Sequence, residues 1–313
     1  AMGAETTGAL TFYEGDLSLK ETNFRPVGVE ELTKRINNRE FESLVIWDKK
    51  PRLSIAGLQE KLPILRLNNK YGFGEGKLAS THILKFSQKN ISNLIINEYT
   101  CMVLAKSIGL PVANVEIIRF GDHPVLQVER FERRIQNNKV ERFHIIDGCQ
   151  ALDLSPGYKY ERNFGSERDV KNIREGASFE KLFTFAHRCH VPIKAKLSIL
   201  QWAIFNLFIS NADSHGKNLS FFVNKARITP APYYDLVNIS MYPELQQELA
   251  MAVGDEFDMN DIKPYQLARF CDDCDIKPLL FIKQLVLMAN NLLDQSKKIM
   301  IEELLVNKEE LSF

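Results

Sequence analysis

The sequence has few of the features that assign a chain to a class at first sight. Only five of its 313 residues are cysteine, with no disulfide-like spacing, and 40 basic residues balance 40 acidic ones. No apolar run approaches the ~20 residues that a membrane-spanning helix needs, and residues 1–8 lack the apolar segment of a secretory signal. We therefore expect a cytoplasmic protein without disulfides, without a membrane partner and without a basic surface for binding nucleic acid directly.

A glycine-rich phosphate loop is also missing. The G-x-G-x-x-G pattern lets backbone amides approach phosphates closely, whereas the segment Ser54-Ile55-Ala56-Gly57 offers one glycine. Phosphate binding by backbone alone is therefore not expected here. The segment has two interpretations: a mobile cover over a nucleotide, or only a turn into the strand predicted at 62–67.

The most informative segment present is the stretch from Asn206 to Val223. It sets Asp213 and Asn218 five residues apart, and a second acid, Asp235, follows. Phosphoryl transfer needs a carboxylate to accept the proton of the attacking hydroxyl and further oxygens to hold magnesium, and protein kinases use this spacing for both. Asp213 is thus predicted as the base, with Asn218 and Asp235 as metal ligands. A tight surface turn uses the same residue types.

The flanks of this segment favour the kinase interpretation. Residues 199–208 are almost wholly apolar and predict a buried helix, and 219–223 predict a buried strand. A polar loop held between two core elements is a common position for catalytic residues.

Upstream, a lysine and a glutamate occur in kinase order. Residues 81–86 predict a strand that carries Lys85 near its end, and Glu98 opens a helix that stops at Gly109. Lys85 lies near the end of a predicted strand and Glu98 at the start of the predicted helix that follows it, so we expect the two side chains to pair. Taken singly, each would more simply be a solvated surface charge.

Several segments, in order, resemble one family: the HipA-like serine/threonine kinases, which are toxins of bacterial toxin–antitoxin modules. The resemblance covers about residues 53–240. It rests on Leu53–Lys61, His82–Lys85, Asn97–Tyr99, Val128–Phe131, Cys149–Leu152, Tyr158–Glu161, Asp213–Asn218 and Tyr234–Asp235.

The resemblance implies roles for further residues. Lys85, held by Glu98, would bind nucleotide phosphates, and a hinge that includes Glu129 and Phe131 would bind adenine through backbone groups. His215 and Lys217 would complete the nucleotide site.

A regulatory role is implied for the loop. Ser54, Ile55, Ala56 and Gly57 would cover ATP, and Ser54 would be autophosphorylated. A phosphoserine adds nearly two negative charges, which should expel the loop or compete with the phosphates of ATP.

The family also implies cofactors and partners. ATP and Mg²⁺ are the expected cofactors, and the expected substrate is a protein, with an aminoacyl-tRNA synthetase as one candidate. Only 53 residues precede Ser54, so the chain resembles a compact, HipT-like version that lacks an N-terminal subdomain. A small antitoxin protein resembling that subdomain and a helix-turn-helix DNA-binding protein are the expected partners.

The chain is long enough for two lobes, and we expect an α+β, bilobal, protein-kinase-like fold. Residues 1–132 would form a small lobe with an antiparallel sheet, and residues 133–313 a larger, mostly helical lobe. Strands are predicted at 62–67, 82–86, 113–120 and 124–131. Helices are predicted at 29–36, 178–190, 193–209, 260–271, 277–294 and 296–307.

Two other functions stay open at this point. Asp213, His215 and Asp235 could form the metal cluster of a hydrolase, although no further ligands occur at metal spacing. The chain could also be a catalytically weak kinase fold that only binds partners. The presence of Lys85 and Asn218 beside the two acids speaks against that second alternative.

Overall fold

The structure is a computed structural model that describes residues 6–10, 22–39, 41–44, 46–48, 50–51, 59–87 and 91–296. The predicted loop at 54–57 and all but the first residue of the predicted helix at 296–307 lie outside these residues. In chain order the elements are β1 (Asn23–Val27), α1 (Val29–Asn37), β2 (Ile46–Trp47), β3 (Lys50–Pro51), β4 (Lys61–Leu67), β5 (Lys70–Glu75), β6 (His82–Phe86), α2 (Leu94–Ser107), β7 (Val115–Phe120), β8 (His123–Glu129), β9 (Arg133–Gln136), β10 (Lys139–Arg142), β11 (Ile145–Asp147), α3 (Gly148–Ala151), α4 (Phe179–Ala186), α5 (Pro192–Phe208), β12 (Ser220–Asn224), β13 (Arg227–Pro230), α6 (Pro264–Asp273) and α7 (Pro278–Ser296).

The described residues fall into two compact units. The first comprises those within Ala1–Tyr99 and Ala113–Ile145, and the second Thr100–Val112 and those within Ile146–Asn307. The division predicted after residue 132 differs, since 100–112 belong to the second unit and 133–145 to the first. Whether the units act as the two predicted lobes stays a prediction.

The first unit contains a six-stranded antiparallel sheet in the order β1-β5-β4-β6-β8-β7. Its core combines α1 with one face of the sheet through Leu32, Ile36, Trp47, Leu84 and Phe86, all almost fully buried. A hairpin turn joins β7 to β8, as the two adjacent predicted strands require. Gly121 in that turn has a φ of 61°, a conformation that glycine adopts without a steric penalty.

The second unit is mostly helical and packs around α5. The predicted apolar run becomes this helix, with Trp202 and Phe205 completely buried. Phe179 of α4 contacts Trp202, with ring centroids 6.2 Å apart, and also Phe270 of α6, at 5.3 Å. Phe281 of α7 contacts Phe270 in turn, at 6.0 Å. A three-stranded sheet, β11-β12-β13, lies in this part of the chain.

Helix boundaries differ from the prediction where proline or glycine intervenes. The helix predicted at 260–271 begins at Pro264, because proline is favoured at the first helical position and lacks an N–H for an earlier turn. Residues 159–177, which precede the helix predicted at 178–190, contain no regular element. In this segment the backbone of Gly176 lies against Tyr160, where a Cβ would be 1.8 Å from the carbonyl oxygen.

The architecture is the predicted α+β class, with an antiparallel sheet in one unit and helices predominating in the other. Among the described residues, no helix combines the length and apolarity that crossing a bilayer requires.

Candidate active site

Lys85 and Glu98 form an ion pair in the first unit. Lys85 lies on β6, Glu98 lies in the first turns of α2, and the exposed fractions of their side chains are 5% and 2%. The Lys85 ammonium contacts Glu98 Oε1. A buried charge needs a partner of opposite sign, so each residue fixes the position of the other. The pairing predicted from sequence order is present, and the nucleotide role of the lysine stays a prediction.

The predicted adenine hinge follows β8. The backbone N–H of Glu129 donates to the carbonyl of Asn114 at 2.8 Å, and its carboxylate accepts from Asn114 Nδ2 at 2.8 Å. The N–H of Arg130 donates to the carbonyl of Thr81 at 2.9 Å. Because the N–H and the carboxylate of Glu129 already have partners, we expect its backbone carbonyl to be the group that contacts adenine. Phe131 follows directly and is half-buried.

In the second unit, buried amides hold the loop that follows α5. Asn206 Nδ2 donates to the carbonyl of Trp202, and Asn211 Nδ2 donates to Asn206 Oδ1, each at 2.8 Å. Asn211 Nδ2 also lies 3.4 Å from the backbone oxygen of Asp235. This chain of amides connects the end of α5, the Asp213 loop and the Asp235 segment.

Asp213, the predicted base, is half-buried, and Tyr160 holds its carboxylate. The Tyr160 hydroxyl donates to Asp213 Oδ1 at 2.7 Å. Burial, followed by the charge of Asp213, raises the pKa of Tyr160 above its ordinary value, so the phenol keeps its proton and stays a donor. The Tyr160 hydroxyl thus fixes one oxygen of the Asp213 carboxylate, and the role of Asp213 as the base stays a prediction.

His215 lies in the same loop and is buried. Its ring packs edge-on against Tyr160, with centroids 5.3 Å apart, and its Nδ1 has no hydrogen-bond partner among the described residues. Burial lowers the pKa of His215, against the opposing effect of the Asp213 charge. The imidazole is therefore biased toward its neutral form.

The remaining predicted residues of this unit surround the same loop. Asn218 is buried, at the end of a single 3₁₀ turn, and Asp235 is half-buried with a φ of 54°, a left-handed conformation that Asp tolerates better than most residues. Lys217, which was expected at the nucleotide site, forms an ion pair between its ammonium and Asp147 Oδ2 at 2.8 Å. Asp147 also caps α3 by accepting from the N–H of Gln150.

The donor set of Asn218 and Asp235 fits magnesium. Mg²⁺ prefers oxygen ligands, and in nucleotide sites it takes one or two protein carboxylates and completes its shell with phosphates and water. Asn218 offers one amide oxygen and Asp235 one carboxylate, which agrees with the small number of protein ligands at such sites. Among the described residues, no group of three or more His, Cys, Asp or Glu side chains is arranged to hold a metal ion.

Close backbone packing fixes the position of the loop. The carbonyl oxygen of Gly216 would lie 2.4 Å from a Cβ added to Gly148, and Gly216 would in turn place a Cβ 2.5 Å from that of Ala177. The N–H of Gly216 donates to the carbonyl of Lys159 at 3.0 Å. Both glycines allow an approach that a larger residue would prevent.

Three residues of this site were not predicted: Tyr160, Asn211 and Asp147. Tyr160 and Asp147 lie 53 and 70 residues from their partners, and no local pattern links such positions. Asn211 did carry a signal. Together with Asn206 it places two amides beside an apolar helix, where a polar side chain needs an internal partner.

Comparison with known proteins shows the family of this chain. The family described as the HipA-like C-terminal domain matches residues 53–298. The chain is 46% identical to the serine/threonine-protein kinase toxin HipA of Shewanella oneidensis, over 100% of this chain and 72% of that protein. It is 38% identical, over 65% of its length and 46% of the relative's, to Y4mE of Sinorhizobium fredii, whose name describes a kinase. The solved complex of the Shewanella HipA with HipB and operator DNA matches with a TM-score of 0.89, over 99% of this chain and 73% of that one.

The similarity in sequence and fold defines the class, which is that of the serine/threonine protein kinases. Within that class, the chain belongs to the HipA-like family.

Proposed function

We propose that this kinase transfers phosphate from Mg-ATP to a serine or threonine of a protein and acts as the toxin of a toxin–antitoxin pair. The observation that carries the proposal is the buried Lys85–Glu98 pair together with the Asp213 loop, in a chain of the HipA-like family. ATP bound with magnesium supplies the phosphoryl group and neutralises part of its charge.

Each residue has a distinct task in this proposal. Lys85, oriented by Glu98, binds phosphate oxygens, while the backbone after β8 at Glu129 and Phe131 binds the base. Asp213 accepts the proton of the attacking hydroxyl, with Tyr160 fixing its other oxygen. The acceptor oxygen then forms the new bond to phosphorus, and ADP leaves.

Ser54 is proposed as the autophosphorylation site that switches the enzyme off. Phosphate there would place nearly two negative charges where the phosphates of ATP are expected, so the modified loop competes with nucleotide. His215 and Lys217 complete the nucleotide side in this proposal. The pairing of Lys217 with Asp147 means that it would have to exchange one anion for another.

The family supports the proposed biological role. The Shewanella relative was solved with HipB and operator DNA, which supports a DNA-binding antitoxin partner for this chain. An aminoacyl-tRNA synthetase is the proposed substrate, because phosphorylation that stops tRNA charging would stop translation.

The test is incubation of the purified chain with Mg-ATP, followed by mass spectrometry. One phosphate at Ser54 is expected, and none in the Asp213→Gln variant. Phosphate only at other positions would contradict the regulatory part of the proposal. No ATP turnover at all would contradict the kinase assignment.

A further inference from the structure

The hydroxyl of Tyr234 forms hydrogen bonds with the catalytic loop and with the strand that follows it. It donates to the backbone carbonyl of Lys217 at 2.7 Å and lies 2.6 Å from Ser220 Oγ. A phenol has one proton to donate, and the carbonyl receives it, so the Ser220 hydroxyl is the donor of the second bond. Ser220 is buried, at the start of β12. The Tyr234 oxygen is thus held by a donor and an acceptor at the same time.

These two bonds lie on either side of one proposed metal ligand and beside the other. The Lys217 carbonyl belongs to the peptide bond that enters Asn218, and Ser220 follows Asn218 by two residues. Tyr234 itself directly precedes Asp235. The side chain of Tyr234 therefore joins the segment that carries the amide ligand to the segment that carries the carboxylate ligand, across 17 residues of chain.

The backbone of Asp235 is also held by an amide. Its carbonyl oxygen lies 3.4 Å from Asn211 Nδ2, which also donates to Asn206 Oδ1 at 2.8 Å. Asp235 has a φ of 54°, and such a conformation persists in a residue with a side chain only where the surrounding structure holds it. The carboxylate thus leaves a backbone whose position is set by Tyr234 and by Asn211.

The separation of the two ligands decides how well they hold magnesium. Mg²⁺ demands near-ideal octahedral geometry, with oxygen ligands at about 2.0–2.1 Å. Groups that orient metal ligands without touching the metal typically change its affinity by about 10–100-fold when they are removed. The hydroxyl of Tyr234 is such a group, because it fixes the two segments from which Asn218 and Asp235 extend.

We propose that Tyr234 is a positioning residue of the magnesium site, whose hydroxyl sets the spacing of Asn218 and Asp235. The inference rests on the proposed Mg-ATP function and adds the group that supports the metal ligands. Tyr234 touches neither the nucleotide nor the metal in this proposal. Loss of its hydroxyl therefore raises the magnesium requirement and leaves the binding of metal-free nucleotide unchanged.

The test compares Tyr234→Phe with the wild-type full chain in a binding experiment that needs no turnover. Calorimetry with the non-hydrolysable β,γ-imido analogue of ATP gives the nucleotide affinity in EDTA and across a series of MgCl₂ concentrations. The two proteins should bind alike in EDTA. The Mg²⁺ concentration that gives half of the gain in affinity should rise roughly 10-fold in Tyr234→Phe. The rate of ATP turnover should fall at low Mg²⁺ and recover at saturating Mg²⁺.

Tyr233→Phe is the matched control, because it removes the hydroxyl of the adjacent tyrosine. Tyr233 is 1% exposed, and its hydroxyl donates to the carbonyl of Ser198 on α5 at 2.7 Å. A purely structural effect should therefore lower the unfolding temperature of Tyr233→Phe at least as much as that of Tyr234→Phe. The magnesium requirement of Tyr233→Phe should equal that of the wild-type protein.

Ser220→Ala is a second and milder variant, since it removes the donor to Tyr234 and keeps the bond to Lys217. Its magnesium requirement should rise by less than that of Tyr234→Phe, and it decides the question alone if Tyr234→Phe does not fold. A requirement unchanged in these variants, or raised equally in Tyr233→Phe, would overturn the inference while leaving the kinase function intact. Wild-type protein whose nucleotide affinity does not depend on Mg²⁺ would overturn the proposed Mg-ATP function itself.

Discussion

At the scale of single residues, the two acids of the site should separate in their effects. Asp213→Gln removes the base and should lower phosphoryl transfer by roughly 10²–10⁴, with nucleotide affinity largely kept. Asp235→Ala deletes a charge from the proposed metal site and should weaken Mg-ATP binding instead. Transfer rates and nucleotide titrations of both variants make the comparison. If both variants lost nucleotide affinity equally, the assignment of the base to Asp213 and of the metal ligand to Asp235 would be wrong.

Tyr160 is the residue that the structure adds to this pair. Tyr160→Phe removes only the hydroxyl that holds Asp213 Oδ1. We expect kcat to fall by roughly 10- to 100-fold, because the carboxylate loses its fixed orientation, while the KM for ATP stays unchanged.

Tyr158→Phe is the matched control for Tyr160→Phe. Tyr158 lies two positions earlier and is also partly buried, and its ring contacts Phe164 rather than the catalytic loop. A kcat unchanged in Tyr160→Phe, or lowered equally in both variants, would remove Tyr160 from the site.

At the scale of elements, the buried ion pair joins β6 to α2. Lys85→Met leaves the buried carboxylate of Glu98 without the charge of Lys85, and removing one member of such a pair costs about 3–5 kcal/mol. The double variant Lys85→Met/Glu98→Leu should recover much of the free energy of unfolding and none of the activity. Denaturant unfolding of the three proteins measures this.

A surface pair gives the control for that experiment. Lys196 binds the exposed Asp275 at 2.7 Å, and pairs of this kind contribute little because solvent screens them. Lys196→Met should therefore leave the unfolding midpoint close to that of the parent protein. If Lys196→Met lost as much free energy of unfolding as Lys85→Met, burial would not determine how much an ion pair contributes to stability.

The contact between α3 and the catalytic loop gives a second prediction at this scale. Gly148→Ala places a methyl group 2.4 Å from the Gly216 carbonyl, so the loop must shift. Overpacking typically costs about 1–3 kcal/mol, and we expect a lower transfer rate as well. Gly157→Ala is the control, since its Cβ meets only Ser155 Oγ, at 3.8 Å. Similar stability and rate in the two variants would contradict the argument from packing.

At the scale of the whole molecule, the prediction concerns growth. Expression of the chain alone should stop bacterial growth, and the Asp213→Gln variant at the same protein level should not. Co-expression of one or two neighbouring small genes should restore growth, and a pull-down from the native operon should recover their products. Growth unaffected by the active chain would favour a housekeeping kinase over a toxin.

The sequence by itself determined the local parts of this protein. The apolar run of α5, the strand that carries Lys85, and the five-residue spacing of Asp213 and Asn218 follow from periodicity and spacing within short windows. These features can be predicted because each depends on neighbours along the chain. Together with the resemblance to the HipA-like family, they led to the α+β class and to the kinase interpretation, which the comparisons support.

Only the tertiary structure decided which distant residues meet. Tyr160 reaches Asp213 across 53 residues, Lys217 reaches Asp147 across 70, and the N–H of Ala252 reaches Glu161 across 91. The residues that make these contacts lie mostly in irregular segments, whose sequences show no helical or strand periodicity. The backbone path of such a segment is fixed by close contacts such as that of Gly176 with Tyr160. The proposed base could therefore be predicted from the sequence, whereas the tyrosine that holds it meets it only once the chain is folded.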